Sequence, residues 1–153
     1  MQYAVTQLAR REHSRVELRG KLLRRLKDVA DPSQVATQVE KILDELQAKG
    51  LLSDARFAAV LTRNRANRFG TARIRYEMRE HDLPDEVVRP ALEQLKATEE
   101  QRARQLWKRR FGQAAADANE RARQMRFRAQ RGFSAAVILR IVRSGSADDD
   151  ERT

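Results

Sequence analysis

At 153 residues and a net charge of +10, the chain has the size of one ordinary domain or of a few small units sharing a core. Only 41% of it is hydrophobic and 35% is charged, so each element has one apolar stripe rather than a place in a thick buried centre. Zero cysteines exclude a disulfide framework and a thiolate metal site; with no apolar span of about 20 residues and no leader pattern, a cytoplasmic protein without membrane contact is expected.

In chain order, Val5 and Leu8 begin the first helical pattern, and Ser14 with Glu17 has the S-x-x-E spacing of a capping box ahead of Leu18 and Leu22. Asp31-Pro32-Ser33-Gln34-Val35 then opens a helix carrying Val35, Val39, Ile42, Leu43 and Leu46, with Pro32 in the first turn, where a missing N–H costs nothing. Ser53 or Asp54 caps the next, which buries Phe57, Val60 and Leu61. Phe69-Gly70-Thr71 breaks the chain before Ile74 and Met78. Leu83-Pro84-Asp85-Glu86-Val87 opens a helix with Val87, Ala91, Leu92 and Leu95. Ala103, Leu106, Trp107 and Phe111 follow, then an Ala-rich insertion, then Ala118, Ala122, Met125 and Ala129. Phe133-Ser134-Ala135-Ala136-Val137, capped by Ser134, opens the last pattern, with Val137, Ile138, Ile141 and Val142.

One opening phrase thus returns three times, its valines 52 and 50 residues apart, which is the spacing of repeat architectures. The prediction is an all-α protein of nine helices in three tandem three-helix repeats, residues 1–53, 54–97 and 98–143, stacked into an elongated, curved body. Val35, Val87 and Val137 take equivalent buried places in it. Residues 144–153, with Asp148, Asp149, Asp150 and Glu151, read as an acidic flexible tail.

Nothing assembles an active site. His13 and His81 are the two histidines, far apart and without metal-ligand spacing, and His13 reads as a packing residue. No phosphate loop, nucleophile elbow or metalloprotease motif is present, and acidic pairs such as Asp85-Glu86 and Glu99-Glu100 complement helix dipoles. A non-enzyme with no cofactor and no metal is expected. Charge is the informative feature. Residues 98–143 hold 12 basic and 4 acidic residues, a surplus of +8, against +3 for residues 1–53 and +2 for residues 54–97. Such a local excess reads as a surface for a polyanion, the plainer alternative being solvated helix faces such as Arg73 with Glu77. At helical spacing Arg56 shares a face with Arg63, Arg75 with Arg79, Arg121 with Arg128, and Arg123 with Arg126. Trp107, Phe111, Phe127 and Phe133 lie among these arginines; Trp107 and Phe133 read as core, whereas Phe127 is open to either role, core or base stacking.

The run Ala9-Arg10-Arg11-Glu12-His13-Ser14-Arg15-Val16-Glu17-Leu18-Arg19-Gly20-Lys21-Leu22 resembles the opening signature of the RecX family, regulators of the RecA recombinase. Gly50-Leu51-Leu52-Ser53-Asp54-Ala55-Arg56-Phe57, then Arg68-Phe69-Gly70 leading to Arg73-Ile74, and Arg131-Gly132-Phe133-Ser134 are similar to RecX in the same order; Arg128 departs, standing where an apolar residue is expected. The resemblance implies three three-helix repeats and docking in the groove of the RecA–DNA filament; a monomer is expected. It further implies suppression of ATP hydrolysis, strand exchange and co-protease activity, with direct contact to single- or double-stranded DNA. The candidate face for RecA and DNA comprises Arg15, Arg19, Arg63, Arg68, Arg75, Arg79, Lys108, Arg109, Arg110, Arg121, Arg123, Arg126 and Arg131. The alternative is a helical DNA- or RNA-binding protein that acts without RecA.

Overall fold

The computed structural model describes the backbone of residues 1–150 and the side chains of residues 1–144. Among the described residues there are helices and no strand: α1 (Gln2–Arg10), α2 (Arg15–Leu26), α3 (Pro32–Ala48), α4 (Asp54–Arg65), α5 (Thr71–Glu80), α6 (Asp85–Arg110), α7 (Ala118–Gln130) and α8 (Ala135–Asp150). These are eight rather than the expected nine. The last helix of the second segment and the first of the third are one 26-residue element, α6. No glycine or proline follows Pro90 before Gly112, and the stretch around residue 97 consists of strong helix formers, so nothing stops propagation there. Helix α8 likewise carries the backbone through residues 144–150, expected as tail; its acidic side chains and residues 151–153 lie outside the described residues.

The helix starts follow from local chemistry. Ser14 Oγ accepts the Glu17 N–H, Asp31 accepts the Ser33 N–H with Pro32 at the first turn, Asp117 accepts the Glu120 N–H, and Ser134 Oγ accepts the Val137 N–H. Ser53 caps α4 through the Arg56 N–H, which frees Asp54 to accept the Arg15 N–H at the start of α2. Half of the expected capping box forms: instead of turning back to Ser14, the Glu17 carboxylate pairs with Arg11 and lies 3.7 Å from His13.

The chain divides into two compact units, Met1–Val60 with Met78–Val88, and Leu61–Glu77 with Arg89–Thr153. This division cuts through the middle segment instead of following the repeats. In the first unit Ala4, Leu18, Leu22, Val35, Val39, Leu43, Leu46 and Leu52 form the core, with Leu8 and Ile42 packed on it. Val5, expected inside, is 40% exposed, and Ala4 occupies the α1 core position instead. Polar packing completes this unit: His81 Nδ1 lies 2.7 Å from Ser14 Oγ, its ring is 4.5 Å from that of Phe57, and His13 is buried with Nδ1 on the Arg11 carbonyl. In the second unit Ala103, Leu106, Phe133, Val137, Ile138 and Ile141 form a core against which Met125, Phe127 and Val142 pack. Val35 and Val137 are buried as expected, whereas Val87 is only half-buried. Along α7 the expected alanine stripe is displaced: Gln124 and Arg128 are the buried residues, while Ala118 and Ala129 are exposed.

Candidate nucleic-acid interface

The thirteen basic residues of the expected face have three different fates. Arg15 and Arg19 are committed to α3. Arg15 Nη2 lies 2.7 Å from both Glu40 and Asp44 and also donates to Gln47, and Arg19 Nε lies 2.5 Å from Glu40. Together they tie α2 to α3 and form no part of a free face. Hydrogen bonds from Arg19 and then Arg15 hold the Glu40 carboxyl down from the usual 4.5 to about 2. A depressed carboxylate stabilises the fold above its unfolded pKa, and that stabilisation fades as pH falls from about 4.5 through about 2. Glu40 is 44% exposed, so solvent screening leaves about 1 kcal/mol at most. Thermal melts of Glu40→Gln and of the unchanged protein should differ by that amount near pH 7 and converge near pH 2; a difference that persists at low pH would assign the effect to packing.

Arg109 and Arg131 are also engaged. Arg109 Nη2 donates to the Asn67 carbonyl at 2.7 Å, where a cation complements the C-terminal end of α4. The Arg131 guanidinium lies 5.3 Å from the ring centre of Phe69 and 5.0 Å from that of Phe127, between two aromatic side chains. Arg75 is half-buried, with a buried Nε that has no acceptor.

The exposed side chains of Arg63, Arg68, Arg79, Lys108, Arg110, Arg121, Arg123 and Arg126 have no hydrogen bond or ion pair among the described residues. Of these, Arg110, Arg123 and Arg126 converge. With Phe111, Phe127 and Gln130 they line an open cleft of about 380 Å³ between the end of α6 and the face of α7. Phe111 and Phe127 meet edge to face with ring centres 5.4 Å apart, Arg110 lies 5.9 Å from the centre of Phe127, and Arg123 lies 5.8 Å from that of Phe111. Among the described residues no carboxylate lines the cleft. The expected pairing of Arg123 with Arg126 therefore holds. That of Arg121 with Arg128 does not, because Arg121 is exposed and Arg128 is only 1% exposed. Arg128 lies 5.8 Å from the ring centre of Trp107, and burial, followed by the charge of Arg104, pushes its pKa down to about 10.

Two ionisable residues are buried against expectation: Arg102 was not singled out by the sequence, and Glu99, expected with Glu100 at a helix N-terminus, lies in the middle of α6 with its side chain enclosed. Arg102 donates to the carbonyls of Ala66, Phe69 and Leu95 at 3.1, 2.7 and 2.8 Å and to Thr98 Oγ1 at 3.1 Å, and Glu99 accepts the Thr71 N–H at 3.0 Å. They brace the Phe69-Gly70-Thr71 turn from beneath. A signal was available, since Glu99 and Arg102 fall at helical spacing between the buried Leu95 and Leu106, in phase with the apolar stripe. Among the described residues no group of three or more His, Asp or Glu is placed to hold a metal ion, and no helix is long and apolar enough to cross a membrane.

Residues 98–142 match the family model for the third three-helix domain of RecX, and residues 53–92 match that for the second. The regulatory protein RecX of Leptothrix cholodnii is 46% identical over 96% of this chain and 89% of its own length. That of Ralstonia nicotianae is 44% identical over 97% and 91%, and that of Chromobacterium violaceum 42% over 94% and 88%. A crystal structure of regulatory protein RecX superposes with a TM-score of 0.69 over 93% of this chain and 72% of that one; at 20% identity it bears on the fold.

Proposed function

Because the chain belongs to the RecX family of regulatory proteins, we propose that it regulates the RecA recombinase, binding the groove of the RecA–DNA filament and suppressing ATP hydrolysis, strand exchange and co-protease activity. Family membership carries the RecA part of this reading. The DNA part rests on one observation, the group of exposed arginines in the third segment, where the surplus of +8 lies, that have no acidic partner among the described residues. Regulation of this kind needs no chemistry on the partner: a ligand shifts a filament only through its differential affinity for that filament's conformations.

Titration into RecA hydrolysing ATP on single-stranded DNA is expected to lower the rate, with no effect on an unrelated DNA-dependent ATPase. Unchanged RecA turnover at every ratio, with the protein folded, would refute the RecA assignment. Suppression of both ATPases would favour the alternative of a nucleic-acid-binding protein that acts without RecA. Direct binding should weaken steeply with salt, by about 0.7 log units per log unit of salt for each phosphate neutralised on a single strand. Reversing Arg121, Arg123 and Arg126 together should make that slope shallower by about 2, whereas Lys41→Glu should leave it unchanged. Identical slopes would mean that these arginines form a solvated face.

A further inference from the structure

Phosphate contacts alone would not require aromatic rings among the arginines, yet Phe111 and Phe127 are left half-buried beside a core that encloses Phe133 to 5% exposure. We propose that the cleft lined by Phe111, Phe127, Arg110, Arg123 and Arg126 receives one unstacked base of a single-stranded nucleic acid, with the arginines on the flanking phosphates. This rests on the reading that the third segment touches nucleic acid, and it adds which form is bound and how.

The chemistry of the lining supports it. The cleft has the volume of a small-molecule site, about 300–1,000 Å³, which suits one ring system. The guanidinium groups of Arg110 and Arg123 lie 5.9 and 5.8 Å from the ring centres of Phe127 and Phe111, so a base entering the cleft replaces one flat partner of the rings by another and turns these cations toward its flanking phosphates. With no carboxylate in the lining among the described residues, the three guanidinium groups can turn to an anion on each side of the inserted ring, and this alternation of charge and flat ring is that of a nucleotide strand. Gln130 offers both a donor and an acceptor to a base edge. A base inside a duplex is paired and stacked and would have to be extruded first, so the cleft selects single strands.

The test uses the full chain and four probes of matched charge: a labelled oligothymidylate, an abasic strand of equal length, a duplex, and inorganic polyphosphate. Oligothymidylate is expected to bind about 5- to 150-fold more tightly than the abasic strand, the range supplied by one base–aromatic stack. Phe127→Leu, which keeps apolar bulk against the core, should bring the two together without altering the salt slope, and Phe127→Trp should keep the preference and show fluorescence quenching beyond that of Trp107. The abasic comparison needs no variant, so a misfolded one cannot hide the answer. Equal affinity for all four probes would overturn the proposal while leaving a purely electrostatic DNA contact in place. Absence of binding to any of them at low salt would remove the DNA reading together with the proposal. Base-independent binding, combined with loss of RecA ATPase suppression in Phe127→Leu, would make the cleft a protein-docking site and also overturn it.

Discussion

Gly70→Ala is expected to destabilise the protein by at least about 3 kcal/mol, a large fraction of the roughly 5–15 kcal/mol that holds a domain folded. A Cβ at Gly70 would overlap the Gly132 carbonyl and the Phe133 nitrogen, which are backbone atoms that cannot swing aside. The same approach carries two hydrogen bonds, Gly70 N–H to the Arg131 carbonyl at 2.7 Å and Ala72 N–H to the Gly132 carbonyl at 3.2 Å, so relieving the overlap breaks both. Gly132 has φ +83°, and its Cβ would meet Arg73 N and Cβ at 2.7 Å, so Gly132→Ala should be damaging for conformational and steric reasons together. Gly50→Ala is the control: φ is +69°, but nothing lies within 4 Å, and the cost should stay near the roughly 1–2 kcal/mol of a left-handed alanine, below that of Gly70→Ala. Urea denaturation of the three variants would rank them; equal losses at Gly50 and Gly70 would mean that the backbone approach is not a source of stability.

Arg102→Met should cost about 3 kcal/mol or more. Methionine fills much of the apolar volume but donates nothing, leaving the Ala66 and Phe69 carbonyls at the end of α4 without their charged donor, at about 1–3 kcal/mol for each group left unsatisfied. Burial already pushes the Arg102 pKa down against the opposing charge of Glu99, so removing the cation also leaves that carboxylate buried without its compensating charge. Adding Glu99→Gln should therefore recover part of the loss, a coupling visible in a double-mutant cycle. Arg102→Lys should fall short of wild type, because a point charge cannot serve several carbonyls as a planar fork does. A loss below about 1 kcal/mol for Arg102→Met would show that water satisfies those carbonyls equally well.

The helix starts at Ser14, Pro32 and Ser134 and the stripes from Val35 to Leu46 and from Val137 to Ile141 were legible in the chain, because period 3.6 and capping are local properties. The return of one phrase at 52 and 50 residues pointed to a repeat in the same way, and the resemblance of four ordered motifs pointed to the family. Charge excess in residues 98–143 was likewise a matter of counting. What counting could not do was divide the arginines. Arg15 and Arg19 are consumed by Glu40 and Asp44, which lie more than 20 positions away, and Arg128 is consumed by the core, whereas Arg110, Arg123 and Arg126 are left open around two rings. Each looks the same in a helical repeat, and only the partner brought alongside decides whether a guanidinium is a strut or a free cation. Continuity of α6 was obscured by the repeat itself, whose three-part rhythm suggests a break where the residues around position 97 contain none. The clearest decision of the tertiary structure is the meeting of Arg68-Phe69-Gly70 with Arg131-Gly132-Phe133. The first was visible as a chain break and the second as a family motif, but two backbones approach this closely only where neither has a side chain, and that requirement concerns a pair of positions 62 residues apart, which no local pattern contains.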